Sequence, residues 1–263
     1  MSNILENIIE FKKREVIELK RNFTINDFIN TSNKIEKPRG FINKLLFAEK
    51  NGFGLIAEIK KSSPSKGIIR KNFFPEKIAL DYQESGASCL SVLTESKFFG
   101  GNNEYLKKVK SIVDLPILRK DFLIDEIQIY ESRFIGADCI LLIVACLNDE
   151  ELKKFYNLGK SLEMDVLLEV HNEEELERAL ILKPQMIGIN NRNLKTMTVS
   201  LETSVCLLKI IPDNVIVISE SGLKTHQDLK FMQSLGIKSF LIGETFMKSE
   251  NIKKSVKNIL HGD

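Results

Sequence analysis

From residue 54 onward one alternation governs what this chain can fold into: a short β-branched or leucine-rich run, a polar loop, then a stretch with helical spacing. The strand-like runs are LIAEIK (55–60), CLSVLT (89–94), PILRKD (116–121), DCILLIVA (138–145), DVLLEV (165–170), MIGIN (186–190), VIVISE (215–220) and SFLIG (239–243). Between them, PEKIALDYQESGA opens on a helix-starting proline, and DEIQIYESRFIGA, NDEELKKFYNLGKSL and NEEELERALIL carry acids in their first turn. Such alternation builds a parallel sheet with right-handed crossovers. Eight units of roughly 26 residues predict a closed (β/α)8 TIM barrel of the α/β class. An open doubly wound sheet would show a GxGxxG turn after its first strand, and none is present.

Residues 1–53 stand outside this rhythm. Residues 2–20 read as a helix and INDFINTSNKIEKPRGFINKLLF as a loop with short helices. The expectation is one barrel domain over residues 1–263, with 1–53 an N-terminal helical extension packed on it. The 38 basic and 36 acidic residues nearly cancel, which argues against a nucleic-acid-coating or membrane-anchoring surface. Cys89, Cys139, Cys146 and Cys206 form no CxxC pair, and His171, His226 and His261 have no ligand spacing, so neither a metal nor a disulfide framework is expected. The start, MSNILENIIEFKKRE, lacks the apolar core of a signal peptide, and the longest apolar run, 139–147, is too short to span a bilayer. A cytoplasmic monomer is the expectation.

The candidate site follows from position. Glu58 and Lys60 place opposite charges in an otherwise apolar strand, where burial is costly unless they are paired. Two residues apart, they share a face, and inward-facing polar groups in a barrel belong at its C-terminal mouth. Lys120 ends the third strand, Glu169 the fifth, Asn190 and Arg192 the sixth, Glu220 and Ser221 the seventh, Gly243 and Glu244 the eighth. Solvated loop charge accounts for any one of them, but poorly for a set that recurs at the same end of successive strands. ESGLKT and IGETFM add Gly222 and Gly243 after strands seven and eight, where barrels often seat a phosphate on backbone N–H groups. A phosphorylated small molecule is therefore the expected partner. Phe98 and Phe99 in TESKFFGG read either as exposed rings on a mobile loop lining the pocket, or as packing against a helix.

AEIKKSSPSKG resembles the signature of the indole-3-glycerol phosphate synthase family, and LRKDF, LLEVHNEEEL, IGINNRNLKT, ISESGL and LIGETFM continue the resemblance in order across the barrel. The resemblance implies conversion of 1-(2-carboxyphenylamino)-1-deoxyribulose 5-phosphate into indole-3-glycerol phosphate, carbon dioxide and water, without a cofactor. It implies Lys120 as general acid in ring closure, Lys60 as an anion anchor assisting loss of water, and Glu169 as base in the dehydration. Glu58 would orient the lysines and Asn190 would bond the reacting hydroxyl. Ser63 and Arg192 would hold the anthranilate end, and Ser221, Gly222, Gly243 and Glu244 the phosphate. Some members carry serine where this chain has Glu244, so its side chain is expected to turn away and leave only its N–H for the anion. The rivals are phosphoribosylanthranilate isomerase, which needs a Cys–Asp pair at strand ends, and a non-catalytic barrel that binds a phosphorylated ligand. Lys60, Lys120 and Glu169 together count against both.

Overall fold

The computed structural model describes residues 4–32, 35–193 and 196–262. Within them the eight expected strands form a closed parallel barrel. They are β1 (Gly54–Ile59), β2 (Cys89–Leu93), β3 (Ile117–Lys120), β4 (Cys139–Ile143), β5 (Asp165–Val170), β6 (Met186–Asn190), β7 (Ile216–Glu220) and β8 (Ser239–Ile242). Closure comes from β1, which pairs with β2 through Ile56 and Cys89 and with β8 through Gly54 and Ser239. Nine residues expected in strands lie just outside them: Lys60, Thr94, Pro116, Asp121, Asp138, Val144, Ala145, Val215 and Gly243. Residues 33–34 of the expected N-terminal loop, and 194–195 within IGINNRNLKT, lie outside the described residues.

Strand alternation divides the apolar residues into two cores. Leu55, Ala57 and Ile59 of β1 face outward and join Leu90, Ile117, Leu168 and Ile187 beneath the helices. Ile56, Cys89, Leu118, Leu141, Leu167, Met186, Ile218 and Leu241 fill the barrel interior. The inward positions above that layer include Glu58, Lys120, Glu169 and Glu220, with Asn190 one inward step beyond Gly188 on β6. The pattern that buries an apolar plug thus presents a polar ring at the mouth.

Helices begin where their caps predict. Asp125 with Gln128, Asn148 with Glu151, and Thr225 with Asp228 form reciprocal capping boxes, each supplying partners to otherwise orphaned backbone N–H groups.

The N-terminal segment attaches to both ends of the barrel. Helix α1 (Ile4–Asn22) lies at the mouth, where Ile4, Leu5 and Ile8 line the cavity. Lys12 of α1, 3% exposed, reaches Asp121 at 2.8 Å just past β3. Helix α2 (Ile25–Ser32) packs on the helix Glu126–Phe134 through Phe28, Phe134 and Ile127. Helix α3 (Phe41–Asn51) closes the opposite end: Phe41 and Leu45 are fully buried against the interior core, and the Ile42 N–H donates to Asp165 at the start of β5.

Candidate active site

The mouth encloses a cavity of about 700 Å³ lined by Glu58, Lys60, Ser63, Lys120, Glu169, Asn190 and Glu220, with the loops after β7 and β8 on one side. All the sequence-predicted site residues line it: Arg192, Ser221, Gly222, Gly243 and Glu244 complete the set. Lys60 is ion-paired to Glu58. The buried charge that looks anomalous in AEIKK is therefore compensated by its neighbour on the same face.

Lys120 is the hub. Its Nζ lies 2.7 Å from Glu169 Oε2 and 3.6 Å from Glu220 Oε2. Burial disfavours its cation, but Glu169, Glu220 and Glu58 outweigh that cost and hold its proton well above the usual lysine range. The two carboxyls diverge for the same reason. Burial works against ionised Glu169, yet Lys120 and His171 push its pKa well below the usual carboxylate range, and Asn190 Nδ2 donates a further hydrogen bond to its Oε1 at 3.2 Å. Glu220, 2% exposed, has Lys120 only at long range, and its Oε1 has no hydrogen-bond partner. Burial, with Glu169 and Glu58 adding repulsion that Lys120 only partly relieves, raises it to about 8. One carboxylate is kept ionised and the other kept protonated around a single ammonium, a divergence typical of acid–base sites.

Asn190 is fixed by three neighbours. Its Oδ1 accepts from the Ser221 hydroxyl (2.9 Å) and from the Arg192 N–H (3.1 Å), which aims its Nδ2 at Glu169. Ser221 and Gly222 follow one another in left-handed backbone, with φ of 66° and 88°, which bends the chain sharply after β7. Gly243 serves a different purpose: a Cβ there would stand 2.4 Å from Glu58 Oε1, so the glycine makes room for that carboxylate. Gly188 does the same for Glu220, whose Oε1 would lie 2.2 Å from an added Cβ. Glu244 turns its carboxylate toward Lys248 (2.5 Å) and Arg192 (3.5 Å). Burial raises its pKa, but these cations and Lys60 leave it lowered overall. The buried Ser63 hydroxyl has no protein partner and faces the cavity.

Glu220 stands out in VISESG as a strand end, but its protonation depends on Lys120, Glu169 and Glu58, which only the closed barrel gathers. His171 and Lys12 carried no sequence signal beyond helix or loop polarity. The two phenylalanines divide. Phe98 meets Phe11 of α1 edge-on at 6.3 Å, whereas Phe99 lines the cavity beside Phe122. Both are half-buried rather than exposed. Glu95 accepts the N–H groups of Lys97, Phe98 and Phe99 and ties that loop down.

A parallel eight-stranded barrel whose mouth carries a buried lysine between two unlike carboxyls defines a (β/α)8-barrel enzyme of the acid–base kind. The chain belongs to the indole-3-glycerol phosphate synthase family, whose model matches residues 5–259. The indole-3-glycerol phosphate synthase of Thermoanaerobacter pseudethanolicus is 48% identical over 248 residues, covering 93% of this chain and 92% of its own. That of Acetivibrio thermocellus is 48% identical over 258 residues, covering 97% and 98%. Among solved structures, 3-hexulose-6-phosphate synthase from Salmonella typhimurium superposes with a TM-score of 0.63 at 12% identity, over 78% of this chain and 96% of that one, a likeness of fold alone. The family is one of carboxy-lyases, and the enzyme class follows from it.

Proposed function

We propose that the chain closes the indole ring of 1-(2-carboxyphenylamino)-1-deoxyribulose 5-phosphate, releasing carbon dioxide and water to give indole-3-glycerol phosphate. The observation that carries this reading is Lys120 held as a cation between Glu169 and Glu220 at the cavity mouth. As the ring carbon attacks the ketose carbonyl, Lys120 protonates the developing alkoxide. A strongly held ammonium proton is a poor match for a neutral carbonyl but a good one for an alkoxide, so transfer is concentrated in the transition state. The carboxylate then leaves as carbon dioxide and its electron pair restores the aromatic ring. Glu169, ionised throughout the neutral range, accepts the proton lost from the new ring, while the Lys60 ammonium donates the proton that lets the hydroxyl leave as water; proton return from Glu169 to the lysine resets the pair. Glu58 anchors Lys60, and Asn190 holds the hydroxyl in reach of Glu169.

The phosphate is assigned to the backbone N–H groups of Ser221, Gly222, Gly243 and Glu244. In support, the two loops follow adjacent strands on one side of the cavity, with Arg192 and Lys248 adjacent and already compensating the Glu244 carboxylate. Ser63 offers its free hydroxyl, and Arg192 its guanidinium, to the substrate's acidic groups. The test is the rise of indole fluorescence on adding this substrate to purified protein, a window left dark by a chain that contains no tryptophan. A signal abolished by Lys120→Met supports the reading; full turnover by that variant overturns the assignment of the acid.

A further inference from the structure

Behind Glu169, on the side away from the cavity, stands a second charged pair. In LLEVHNEEEL the strand ends at Val170, and His171 turns back beneath the start of the helix Glu173–Leu180. Its side chain is 8% exposed. Nδ1 lies 2.9 Å from Glu175 Oε2, an oxygen that also accepts the His171 backbone N–H at 2.8 Å. Glu175 Oε1 is occupied in turn by Asn172 Nδ2 at 2.8 Å. Glu175 is therefore fixed from three sides and can only accept at Nδ1, which makes that nitrogen a donor.

The other ring nitrogen decides the charge. Nε2 lies 3.2 Å from Glu169 Oε1, in ion-pair range though not aligned for a linear hydrogen bond. A neutral ring with its proton on Nδ1 would press the Nε2 lone pair toward a carboxylate oxygen, acceptor against acceptor. Only the imidazolium satisfies both neighbours. The remaining titratable neighbour is Cys146, on the turn Val144–Cys146 that packs on both β5 and the helix Glu173–Leu180; burial beside Glu169 and Glu175 keeps that thiol protonated. Burial lowers the pKa of His171, but Glu169 and Glu175 raise it to about 9.

We propose that His171 is a positioning residue for Glu169: clamped by Glu175 as an imidazolium, it holds the Glu169 carboxylate so that Oε1 meets Asn190 and Oε2 meets Lys120. The inference rests on the reading of Glu169 as the base. His171 itself is screened from substrate by Glu169 and acts on turnover rather than on binding.

The test uses the full-length protein. Imidazole ¹⁵N spectra, assigned by comparison with His171→Gln, should show both His171 nitrogens protonated at neutral pH and a midpoint near 9. Glu175→Gln, whose carboxamide still suits the first helical turn, should lower that midpoint by more than about one unit. Its kcat should then fall as pH rises through the new midpoint, where wild type holds steady, with KM within about twofold. His171→Gln, which keeps a donor but carries no charge, should lose about tenfold or more in kcat without recovery at low pH. A wild-type midpoint at or below the ordinary histidine value, or a Glu175→Gln profile superposable on wild type, overturns the proposal. Glu169→Gln separates the two readings. If it retains indole formation, Glu169 is not the base; if it loses it while the His171 and Glu175 variants behave as wild type, only the positioning role fails.

Discussion

Replacing Gly188 by alanine would put a methyl group where Glu220 now stands. The added Cβ would lie 2.2 Å from Glu220 Oε1 and 3.2 Å from Leu167 Cδ1. Ordinary contact needs more than about 3.3 Å, so the carboxyl must retreat by about 1 Å. Retreat is constrained, because Glu220 is 2% exposed and sits in register between Asn190 of β6 and Leu241 of β8. Overpacking of this kind costs about 1–3 kcal/mol of stability. A displacement of about 1 Å in a reacting constellation costs up to about 100-fold in rate. Gly188→Ala should therefore melt lower and lose one to two orders of magnitude in kcat, with KM little changed because Glu220 is assigned no substrate-binding group. Shortening the side chain should relieve the clash, so the pair Gly188→Ala with Glu220→Asp should be more active than the sum of the single losses predicts. Steady-state indole fluorescence and thermal unfolding of the four proteins form the cycle. Full activity in Gly188→Ala alone, or strict additivity in the cycle, refutes the idea that this glycine exists to make room for Glu220.

Two further outcomes follow from the buried charges. Glu220 has a folded pKa raised from 4.5 to about 8, so its contribution to stability is full below the unfolded value and is lost as pH rises toward 8. Wild type should lose up to about 1.4 kcal/mol per pH unit relative to Glu220→Gln between about pH 5 and 8, which parallel unfolding midpoints for the two proteins would disprove. Lys12→Met should strand Asp121, a carboxylate 3% exposed whose pKa is held down, against burial, chiefly by Lys12 and Arg119. A loss of about 3–5 kcal/mol is expected, because it leaves a buried charge short of a partner, and a change in melting temperature within error would contradict it.

Much of this molecule is readable from its residues. The eight strands follow from apolar alternation. Glu58, Lys120, Glu169 and Asn190 mark the mouth because a barrel tolerates inward polar side chains only where the strands open to solvent. What stayed hidden depends on neighbours distant in sequence. Lys12 sits on an amphipathic helix and reads as a solvated charge until α1 is laid over β3, more than 100 residues away. The N-terminal segment is legible as helical, but nothing in FINKLLF says that α3 closes the end opposite the mouth. Glu220 is visible as a strand end, whereas its retained proton arises from three groups on three other strands. Glycine signals were ambiguous for a related reason. Gly222 is required by its own backbone, Gly188 and Gly243 by carboxylates on adjacent strands, and only the register between strands distinguishes the cases.

The central claim is a division of labour, in which Lys120 serves ring closure and Glu169 the later loss of water. Single-turnover reactions that follow carbon dioxide and indole separately test it most directly. The account predicts that Lys120→Met releases neither, while Glu169→Gln releases carbon dioxide at a near-normal rate and stalls before indole appears. Simultaneous loss of carbon dioxide and indole in Glu169→Gln, or indole formation at the wild-type rate, would contradict it.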